Sequence, residues 1–540
     1  MKNYILKLIN FIPLFKKKYF HYIFHIKRGY RVLCKNKNLH AIRSVKYNLL
    51  KVILNLKNFD KKIFQFYDSD IDNEKIVRQF INQKFISYYI DGFYYYFLST
   101  KKKFIYPLPS KMLDQIERDE FKVNRFLSFL SWILLILFIF VYNLLGVIKL
   151  WFQIIKFSFV NKKNKKKYHE SIIFCNISGE KDILLSDINR GEYNLLNWAK
   201  HNLGDYKYCF LNEQTKVSEE KNDHILLNDH FTLILSHLNK KKYFIRSLGL
   251  VVSILKNVIL LRWWNLFFLK EAAIADLYNC AEEGFSNKYI FVYSGNYFRP
   301  LWTYSAEKKG SKIEMISLGA FWEISLQDPK SHIPDFEGFC IMTWPIIYSW
   351  NKSSTNFLIK KTTNNPKIIL LNKHVYLRDL KAGYRIPEKS ITVFSHEEHR
   401  LIGAVSTIGD YQTQNLNLLN SFYNDIYEVL KMHNITMVIK RKNVEKKAEL
   451  KKNASLFNSF KYKKEVMMCN PAISVDRLCQ ESLGTIAIPF SSAAVVSDNY
   501  KKPTIFYDPS GWIGLDDPAS SGIKIIYNKE ELAKWVKNLT

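Results

Sequence analysis

The chain has 540 residues, of which 48% are hydrophobic and 24% are charged, and its formal net charge is +31. This balance excludes a bundle of membrane helices for most of the chain, and it favours partners that carry negative charge. Nucleic acid is not expected, because the sequence lacks zinc-finger spacing, an RNP-like aromatic box and a compact Arg-rich arm.

Residues 1–120 are rich in Lys and aromatic side chains, and they predict a mostly helical extension with no identifiable chemistry. The start of the chain is basic and apolar but lacks a small-residue cleavage site, so no signal peptide is expected. The seven cysteines are scattered and form no CxxC pair. They indicate a reducing, cytosolic compartment rather than a disulfide framework or a zinc site.

Residues 121–168 predict a membrane-inserting segment followed by a basic linker. The run 126–148 carries no charge and is long enough, as a helix, to cross a hydrocarbon core of about 30 Å. Basic clusters lie on both sides of the run, so one straight span cannot satisfy the positive-inside rule. A re-entrant insertion broken near Asn143 and Gly146 is preferred, and a single span stays open. The stretch 244–269 is too polar for a confident span and predicts either a docking helix or an amphipathic core helix.

Short apolar runs of β-forming residues alternate with amphipathic stretches from about Glu170 onward. This alternation predicts βαβ units and parallel sheets. Two blocks emerge, 169–385 and 386–540, and each predicts an α/β, Rossmann-like lobe, so the fold class is a two-lobe α/β fold of the GT-B type. In such folds ligands bind at the carboxyl ends of the strands. No GxGxxG and no P-loop motif is present, so neither a dinucleotide enzyme nor a P-loop enzyme is indicated.

The segment SHEEH follows the first predicted strand of the second block. In an enzyme that transfers a group to a hydroxyl, a general base removes the proton of that hydroxyl. The candidates in this segment are His396, Glu397, Glu398 and His399. A polar turn at a helix N-terminus is the alternative, and Asp335 and Glu337 are weaker candidates for the base. HEEH is not HExxH, and neither of the two predicted lobes, 169–385 and 386–540, contains a DxD motif, so no metal and no cofactor is expected.

Basic residues end the next predicted strand, MVIKRK. Lys440 and Arg441 should reach the mouth of the cleft between the two lobes. With a nucleotide-activated donor in this cleft, they would bind its phosphates and offset the negative charge of the leaving nucleotide. A solvated basic run is the alternative. Farther along, Asp508 follows another strand and either binds ribose or sugar hydroxyls or fixes the turn before Pro509.

The most informative stretch is residues 485–511, TIAIPFSSAAVVSDNYKKPTIFYDPSG. It predicts a strand, a turn at Pro489 and Phe490, a hydroxyl pair at Ser491 and Ser492, a helix of small residues and a second strand. Hydroxyls, free N–H groups and the helix dipole at such an N-terminus make an anion site of the kind that a donor phosphate needs. A plain N-cap without a ligand is the alternative.

The same stretch resembles the signature of the polysaccharide biosynthesis PFTS motif protein family, with Ser491 in place of the family's Thr. Three further stretches resemble family motifs: NPAISVDRL at 470–478, MVIKRKN at 437–443 without the family's Pro, and SGNYFRPLWTYSAEKKG at 294–310. MTWPIIYSWN at 342–351 is also similar. The resemblance covers about 280–520 and implies two Rossmann-like lobes, as in bacterial sialyltransferases. It implies that Asn296 and Arg299 line the acceptor side of the cleft, and structural pairing of Arg299 with a carboxylate such as Glu323 is the alternative.

These observations predict an enzyme that transfers a sugar from a nucleotide-sugar donor to a lipid-linked or growing polysaccharide acceptor. The expected location is the cytoplasmic face of the bacterial inner membrane, monotopic or single-span, with anionic membrane lipids as further partners. Two alternatives stay open: a noncatalytic scaffold of a polysaccharide assembly complex, and a CDP-alditol-type phosphotransferase.

Overall fold

The computed structural model describes somewhat more than half of the chain. The described residues are 76, 78–79, 81, 108–118, 122–160, 171–175, 195–211, 219–220, 224–227, 234–260, 262–283, 285–293, 299–317, 342–362, 364–371, 385–394, 416–440, 459–470, 473–511 and 513–540.

The helices are α1 (Ser110–Arg118), α2 (Arg125–Val160), α3 (Leu195–Leu203), α4 (Lys240–Ile259), α5 (Leu269–Cys280), α6 (Trp302–Lys308), α7 (Lys352–Lys361), α8 (Leu416–Met432), α9 (Val475–Glu481), α10 (Ser492–Asn499) and α11 (Lys529–Lys537). Short 3-10 helices cover Trp263–Phe268 and Pro518–Ser520.

The strands of the first sheet are β1 (Ser171–Cys175), β2 (Lys207–Leu211), β3 (Glu219–Glu220), β4 (His224–Leu227), β5 (Lys288–Tyr293), β6 (Lys312–Ser317), β7 (Ile346–Ser349) and β8 (Lys367–Leu370). The strands of the second sheet are β9 (Ser390–Phe394), β10 (Thr436–Lys440), β11 (Val466–Cys469), β12 (Gly484–Ala487), β13 (Thr504–Tyr507) and β14 (Lys524–Ile526).

Two sheets confirm the predicted α/β fold class. The first runs in the order β3-β4-β2-β1-β5-β6-β7-β8, and all its pairings are parallel except that of β3 with β4. The second runs in the order β11-β10-β9-β12-β13-β14, and its pairings are all parallel. The second order is the doubly wound 3-2-1-4-5-6 pattern of a Rossmann fold. The two sheets fall on either side of the predicted boundary at 385/386, which remains a prediction as a domain limit.

Burial explains why the central strands read as apolar runs. Every residue of β1 and of β9 is buried, as expected for parallel strands covered by helices on both faces. The core of the second sheet combines strand residues such as Val393 and Ile486 with Phe422 and Tyr423 of α8.

The chain forms two compact units, one of which holds the sheets while the other is helical. The helical unit contains α1, α2 as far as Gln153, and the segment Lys241–Asp276, which carries most of α4 and α5. Its helices join through side chains: Trp151 Nε1 on α2 donates to Ser247 Oγ on α4 at 3.0 Å. Trp132 of α2 meets Trp263 edge to face, with ring centroids 5.3 Å apart.

The expected break in the apolar segment is wrong, because α2 runs without interruption through Asn143 and Gly146. Asn143 satisfies its own amide within the helix by donating from Nδ2 to Ile139 O at 2.9 Å. A Cβ at Gly146 would lie 3.1 Å from Lys270 Cδ, so this glycine permits close packing of α2 against α5. By length and composition, α2 is the one described helix able to cross a membrane.

The predicted helical extension 1–120 falls mostly outside the described residues, which include only α1 and a few helical positions before it. The five cysteines in the described part of the chain are buried, with no disulfide among them.

Candidate functional site

The carboxyl edge of the second sheet contains a topological switch point between β9 and β12. The chain winds outward from β9 to β11 and then returns to β12 on the other side of β9. Phe394 ends β9 in register with both Lys440 of β10 and Ala487 of β12. The Ile488 N–H donates to Phe394 O at 3.0 Å and ties the turn after β12 to the end of β9. Ligands of open α/β sheets bind at this kind of crevice.

The turn after β12 is strained. Phe490 has a φ of 65°, in the left-handed region that costs a residue with a Cβ roughly 1–2 kcal/mol. The Phe490 ring is buried and meets Phe506 of β13 edge to face at 5.9 Å. The Ser491 N–H donates to Ile488 O at 3.2 Å and closes the turn. Packing therefore holds a conformation that the backbone disfavours, and such strain is concentrated at functional sites.

The N-terminus of α10 differs from those of three other helices. Asn351 before α7, Ser474 before α9 and Asn528 before α11 each accept a hydrogen bond from a backbone N–H in the first turn of the helix. Ser491 occupies the same position before α10, yet its side chain makes no capping hydrogen bond. The plain N-cap is therefore not what the structure shows. The Ala494 N–H donates to Ser491 O at 3.1 Å. The Ser491 hydroxyl and the N–H groups of Ser492 and Ala493 are therefore the donors that a ligand would use, and the helix dipole favours an anion there.

Side chains that sequence reasoning missed hold α10 in place. Asp476, fully buried in α9, accepts a hydrogen bond at 2.6 Å from the hydroxyl of Tyr500, which follows α10. Thr504 Oγ1 of β13 donates to Ser497 Oγ of α10 at 2.7 Å. An acidic residue inside the apolar turn of NPAISVDRL was the available signal for Asp476. These contacts fasten the carboxyl-terminal end of α10 to α9 and β13.

Lys440 is buried at the end of β10, in register with Cys469 of β11. A buried ammonium group requires compensation from an anion or from hydrogen bonds. Burial raises the pKa of the Cys469 thiol to about 11, although the nearby charges of Lys440 and Arg477 act to lower it. The thiol beside Lys440 is thus protonated at neutral pH and is not a nucleophile there.

Asp508 has the turn-fixing contacts that the sequence left as one alternative. Its Oδ1 accepts hydrogen bonds from the Ser510 N–H, at 3.0 Å, and from the Ser510 hydroxyl. Its Oδ2 accepts a hydrogen bond from the Ile513 N–H at 2.9 Å. The side chain is fully buried. These bonds organise the loop after β13, and a role toward sugar hydroxyls stays a prediction.

Several predicted site residues lie outside the described part of the chain: Asn296, Asp335, Glu337, His396, Glu397, Glu398, His399 and Arg441. Three of these positions are close in sequence to a described strand end. His396 comes two residues after Phe394, Arg441 directly follows Lys440, and Asn296 follows β5. In the first sheet the order also reverses between β1 and β5, so Asn296 follows a strand at a second switch point.

Arg299 is buried in a network of protein contacts. Its guanidinium donates to Thr303 Oγ1 at 2.9 Å, to Thr343 O at 3.1 Å and to Glu307 Oε2 at 2.5 Å. It also lies 4.0 Å from the centroid of the Tyr304 ring. Arg299 thus pairs with a carboxylate, as in the alternative given above, and the carboxylate is Glu307. Glu323, the example named there, lies outside the described residues. Acceptor binding by Arg299 stays a prediction.

Two of the motifs named above meet in space. Trp302, from FRPLW, packs against Phe291 of β5 with ring centroids 5.8 Å apart. Trp344, from MTWP, packs against the same ring at 5.1 Å. Together with the hydrogen bond from Arg299 to Thr343, these contacts join the segment that follows β5 to the segment that precedes β7.

Within the described residues, no group of three or more His, Cys, Asp or Glu side chains is placed to hold a metal ion. The HEEH segment lies outside that part of the chain.

The sequence profile of the polysaccharide biosynthesis PFTS motif protein family matches residues 252–536, more than half of the chain. A search of curated proteins found no match.

Among solved structures, the chain is similar to UDP-GlcNAc 2-epimerase from Methanocaldococcus jannaschii in complex with UDP-GlcNAc and UDP, with 12% identity over 68% of this chain and 92% of that one, and a TM-score of 0.33. It is similar to the wall teichoic acid polymerase TagF, with 12% identity over 74% and 88% of the two chains and a TM-score of 0.38. It is also similar to the trehalose-6-phosphate synthase OtsA, with 9% identity over 68% and 91% and a TM-score of 0.33. Likenesses this distant carry no argument about function.

Proposed function

Because the chain belongs to the polysaccharide biosynthesis PFTS motif protein family, we propose that it is a membrane-associated glycosyltransferase. It moves a sugar from a nucleotide-sugar donor to a lipid-linked or growing surface polysaccharide. The observation that carries this proposal is the uncapped start of α10 at the switch point, with Ser491 free of capping and Phe490 held in a strained turn. An anion such as a donor phosphate is the ligand that this arrangement suits.

The chemistry follows from charge. When the sugar leaves its donor, negative charge develops on the nucleotide phosphate, and preorganised donors aimed at that charge lower the barrier. The first-turn N–H groups of α10, the Ser491 hydroxyl and the cations Lys440 and Arg441 would supply this stabilisation without a metal ion. One of His396, Glu397 or His399, after the neighbouring strand β9, would remove the proton of the acceptor hydroxyl.

The helical unit supports a monotopic attachment to the cytoplasmic face of the inner membrane. The helix α2 exposes large apolar side chains, including Leu134, Phe138 and Leu145. The helices packed beside it carry charges, among them Lys256 and Arg262, and each charge at the centre of a bilayer costs about 2.5–3.5 kcal/mol. Insertion of the exposed apolar faces into one leaflet satisfies both observations, whereas immersion of the whole unit does not.

Donor binding is tested by thermal denaturation of the full chain with CMP-, UDP-, GDP- and dTDP-sugars. A ligand that binds the folded state at 100 times its Kd adds about 2.7 kcal/mol, so one nucleotide class should raise the Tm measurably. The Ser491→Ala variant should keep about half of that rise or less, since binding ten times weaker at the same ligand concentration adds only about 1.4 kcal/mol. Turnover of CDP-alditols with no binding of a nucleotide sugar would establish the phosphotransferase instead, and the absence of any nucleotide ligand would favour the noncatalytic scaffold.

A further inference from the structure

A groove of about 640 Å³ runs along α4 in the helical unit. Its lining contains the cationic side chains of Arg246, Lys256 and Arg262 together with the polar side chains of Ser253 and Asn257. The two polar side chains are buried, whereas Lys256 lies in contact with solvent. Asn257 is bonded within the protein, because its Nδ2 donates to Ser253 O at 2.8 Å and its Oδ1 accepts from Asn265 Nδ2 at 2.9 Å. The cations are therefore the groups suited to an anionic ligand with several acceptor oxygens.

The charges in the groove are unbalanced. Asp276 is the one carboxylate among the described residues that line it. Arg246 donates to Asp276 Oδ1 from Nε at 2.9 Å and from Nη2 at 2.6 Å, so this pair neutralises itself. Lys256 and Arg262 remain as a net positive charge. A phosphate monoester carries about −1.5 to −2 at pH 7, which matches these two cations.

The helix α4 is amphipathic in the reverse sense to a soluble core helix. Its buried positions include the polar residues Ser247, Ser253 and Asn257. Its exposed positions include large apolar side chains at spacings of three and four: Ile245, Leu248, Val252, Leu255 and Ile259, of which Ile259 is 82% exposed. In a soluble protein the apolar stripe of such a helix faces the core. The outward stripe of α4 therefore requires an apolar medium.

The groove and the outward stripe lie side by side, because Val252 belongs to both. The neighbouring helix α2, which packs against α4 through Trp151 and Ser247, exposes apolar side chains of its own. A ligand with a phosphate at one end and a hydrocarbon chain at the other would satisfy both features at once.

We propose that this groove binds the phosphate monoester or diphosphate headgroup of a membrane lipid, whose hydrocarbon chain lies along the outward stripe of α4. This inference rests on the proposed membrane-associated function and deepens it, because a lipid of this class is the chemical form of a lipid-linked acceptor. The groove belongs to the helical unit, so its residues are different from those proposed to bind the donor.

Gly249 provides a variant that changes the groove with little risk to the fold. It lies in the lining, and a Cβ at this position would meet nothing within 4 Å. Any other residue except Pro also favours a helix more than Gly does. Gly249→Glu places a carboxylate in the lining of the groove and should repel a phosphate, while Gly249→Gln fills the same space without charge. Lys241→Gln, on the same helix but outside the groove lining, lowers the net charge by one as Gly249→Glu does.

The full-length variants are tested by sedimentation with phosphatidylcholine vesicles that contain either phosphatidic acid, a phosphate monoester, or phosphatidylglycerol, a phosphodiester, at equal surface potential. Loss of one surface cation weakens binding about fivefold, on both vesicle types alike. Lys241→Gln should show that uniform loss. Gly249→Glu and the double variant Lys256→Gln, Arg262→Gln should lose at least tenfold more on phosphatidic acid than on phosphatidylglycerol, and Gly249→Gln should lie near the unmodified protein.

Equal losses on the two vesicle types would overturn the proposal, because they would show surface charge alone. Inorganic diphosphate identifies the source of the phosphate: competition as strong as that of phosphatidic acid vesicles would overturn the assignment to a lipid. Donor binding separates this proposal from the proposed function, since Gly249→Glu should retain the Tm rise with a nucleotide sugar. If the protein binds phosphatidic acid in the groove but binds no nucleotide sugar, the proposed glycosyltransferase function is wrong and the proposed lipid site is supported.

Discussion

At the scale of single residues, Ser491 separates a structural role from a binding role. Replacing a helix-capping serine by Ala lowers the free energy of unfolding of a protein by about 1 kcal/mol. Ser491 makes no capping bond, so Ser491→Ala should cost clearly less than this in the free energy of unfolding. It should still weaken donor binding at least tenfold, the loss expected for a hydrogen bond to a charged group. Ser491→Thr should remain close to normal, since it keeps the hydroxyl that the family signature carries.

Melting curves and donor titrations of Ser491→Ala, Ser492→Ala and Ser491→Thr measure these effects. If both alanine variants bind donor normally while only their melting points fall, the turn is a structural cap and the donor phosphate binds elsewhere.

Asp508, in contrast to Ser491, should contribute to stability and not to donor binding. Its carboxylate accepts three hydrogen bonds within the loop after β13, so Asp508→Asn should reduce the free energy of unfolding by about 1–3 kcal/mol. Donor affinity of the folded protein should change little. Urea denaturation and donor titration of the same preparation test this. A large loss of affinity with an unchanged unfolding midpoint would restore the sugar-binding role.

The sequence predicted the strand, turn and helix around residues 489–492, because Pro, paired hydroxyls and small residues each have a local physical meaning. It did not predict the left-handed φ of Phe490, since that conformation is held by distant packing against Phe506. The network of Arg299 escaped prediction for the same reason: its partner Thr343 lies 44 residues away.

At the scale of elements, the bonds of Arg299 fasten the start of α6 to the segment before β7. Arg299→Lys removes the planar fork that reaches Thr303, Thr343 and Glu307 together. Breaking a buried charge pair costs about 3–5 kcal/mol. Glu307 is one third exposed, so the loss here should be nearer 2–3 kcal/mol. Thermal denaturation measures it. Glu307→Gln, which leaves the buried guanidinium without its carboxylate, should also lower the Tm.

Donor affinity of the folded Arg299→Lys protein should remain unchanged, because the proposed donor turn lies in the other sheet. If affinity falls while stability holds, Arg299 contacts a ligand, and the structural interpretation of its network is wrong.

The sequence predicted some of the helices and strands better than others. Alternating apolar runs predicted parallel βαβ units, because a strand buried on both faces has a continuous apolar sequence. The break predicted in α2 failed, because Asn143 bonds to the carbonyl four residues earlier and so needs no break in the helix. The stretch 244–269 left two interpretations open, because three of its polar residues, Ser247, Ser253 and Asn257, lie on the packed side of α4 and only the structure shows which side is exposed.

At the scale of the whole molecule, the position of the protein on the membrane is the remaining question. Basic clusters flank α2 on both sides in the sequence, and a continuous α2 packs against helices that carry charge along their length. A full span would carry those charges into the bilayer or leave one basic cluster outside, and both are unfavourable. In the proposed attachment, with the exposed apolar faces inserted into one leaflet, both flanks would lie in the cytoplasm.

Cysteines introduced by Lys103→Cys and Lys165→Cys report on the two flanks. In intact cells, a membrane-impermeant maleimide applied from outside should label neither position, while permeabilised cells should show labelling of both. The buried thiols of the described chain provide a low background. Labelling of one flank from outside would establish a span, and the charged helices beside α2 would then require a water-filled or protein-lined path through the bilayer.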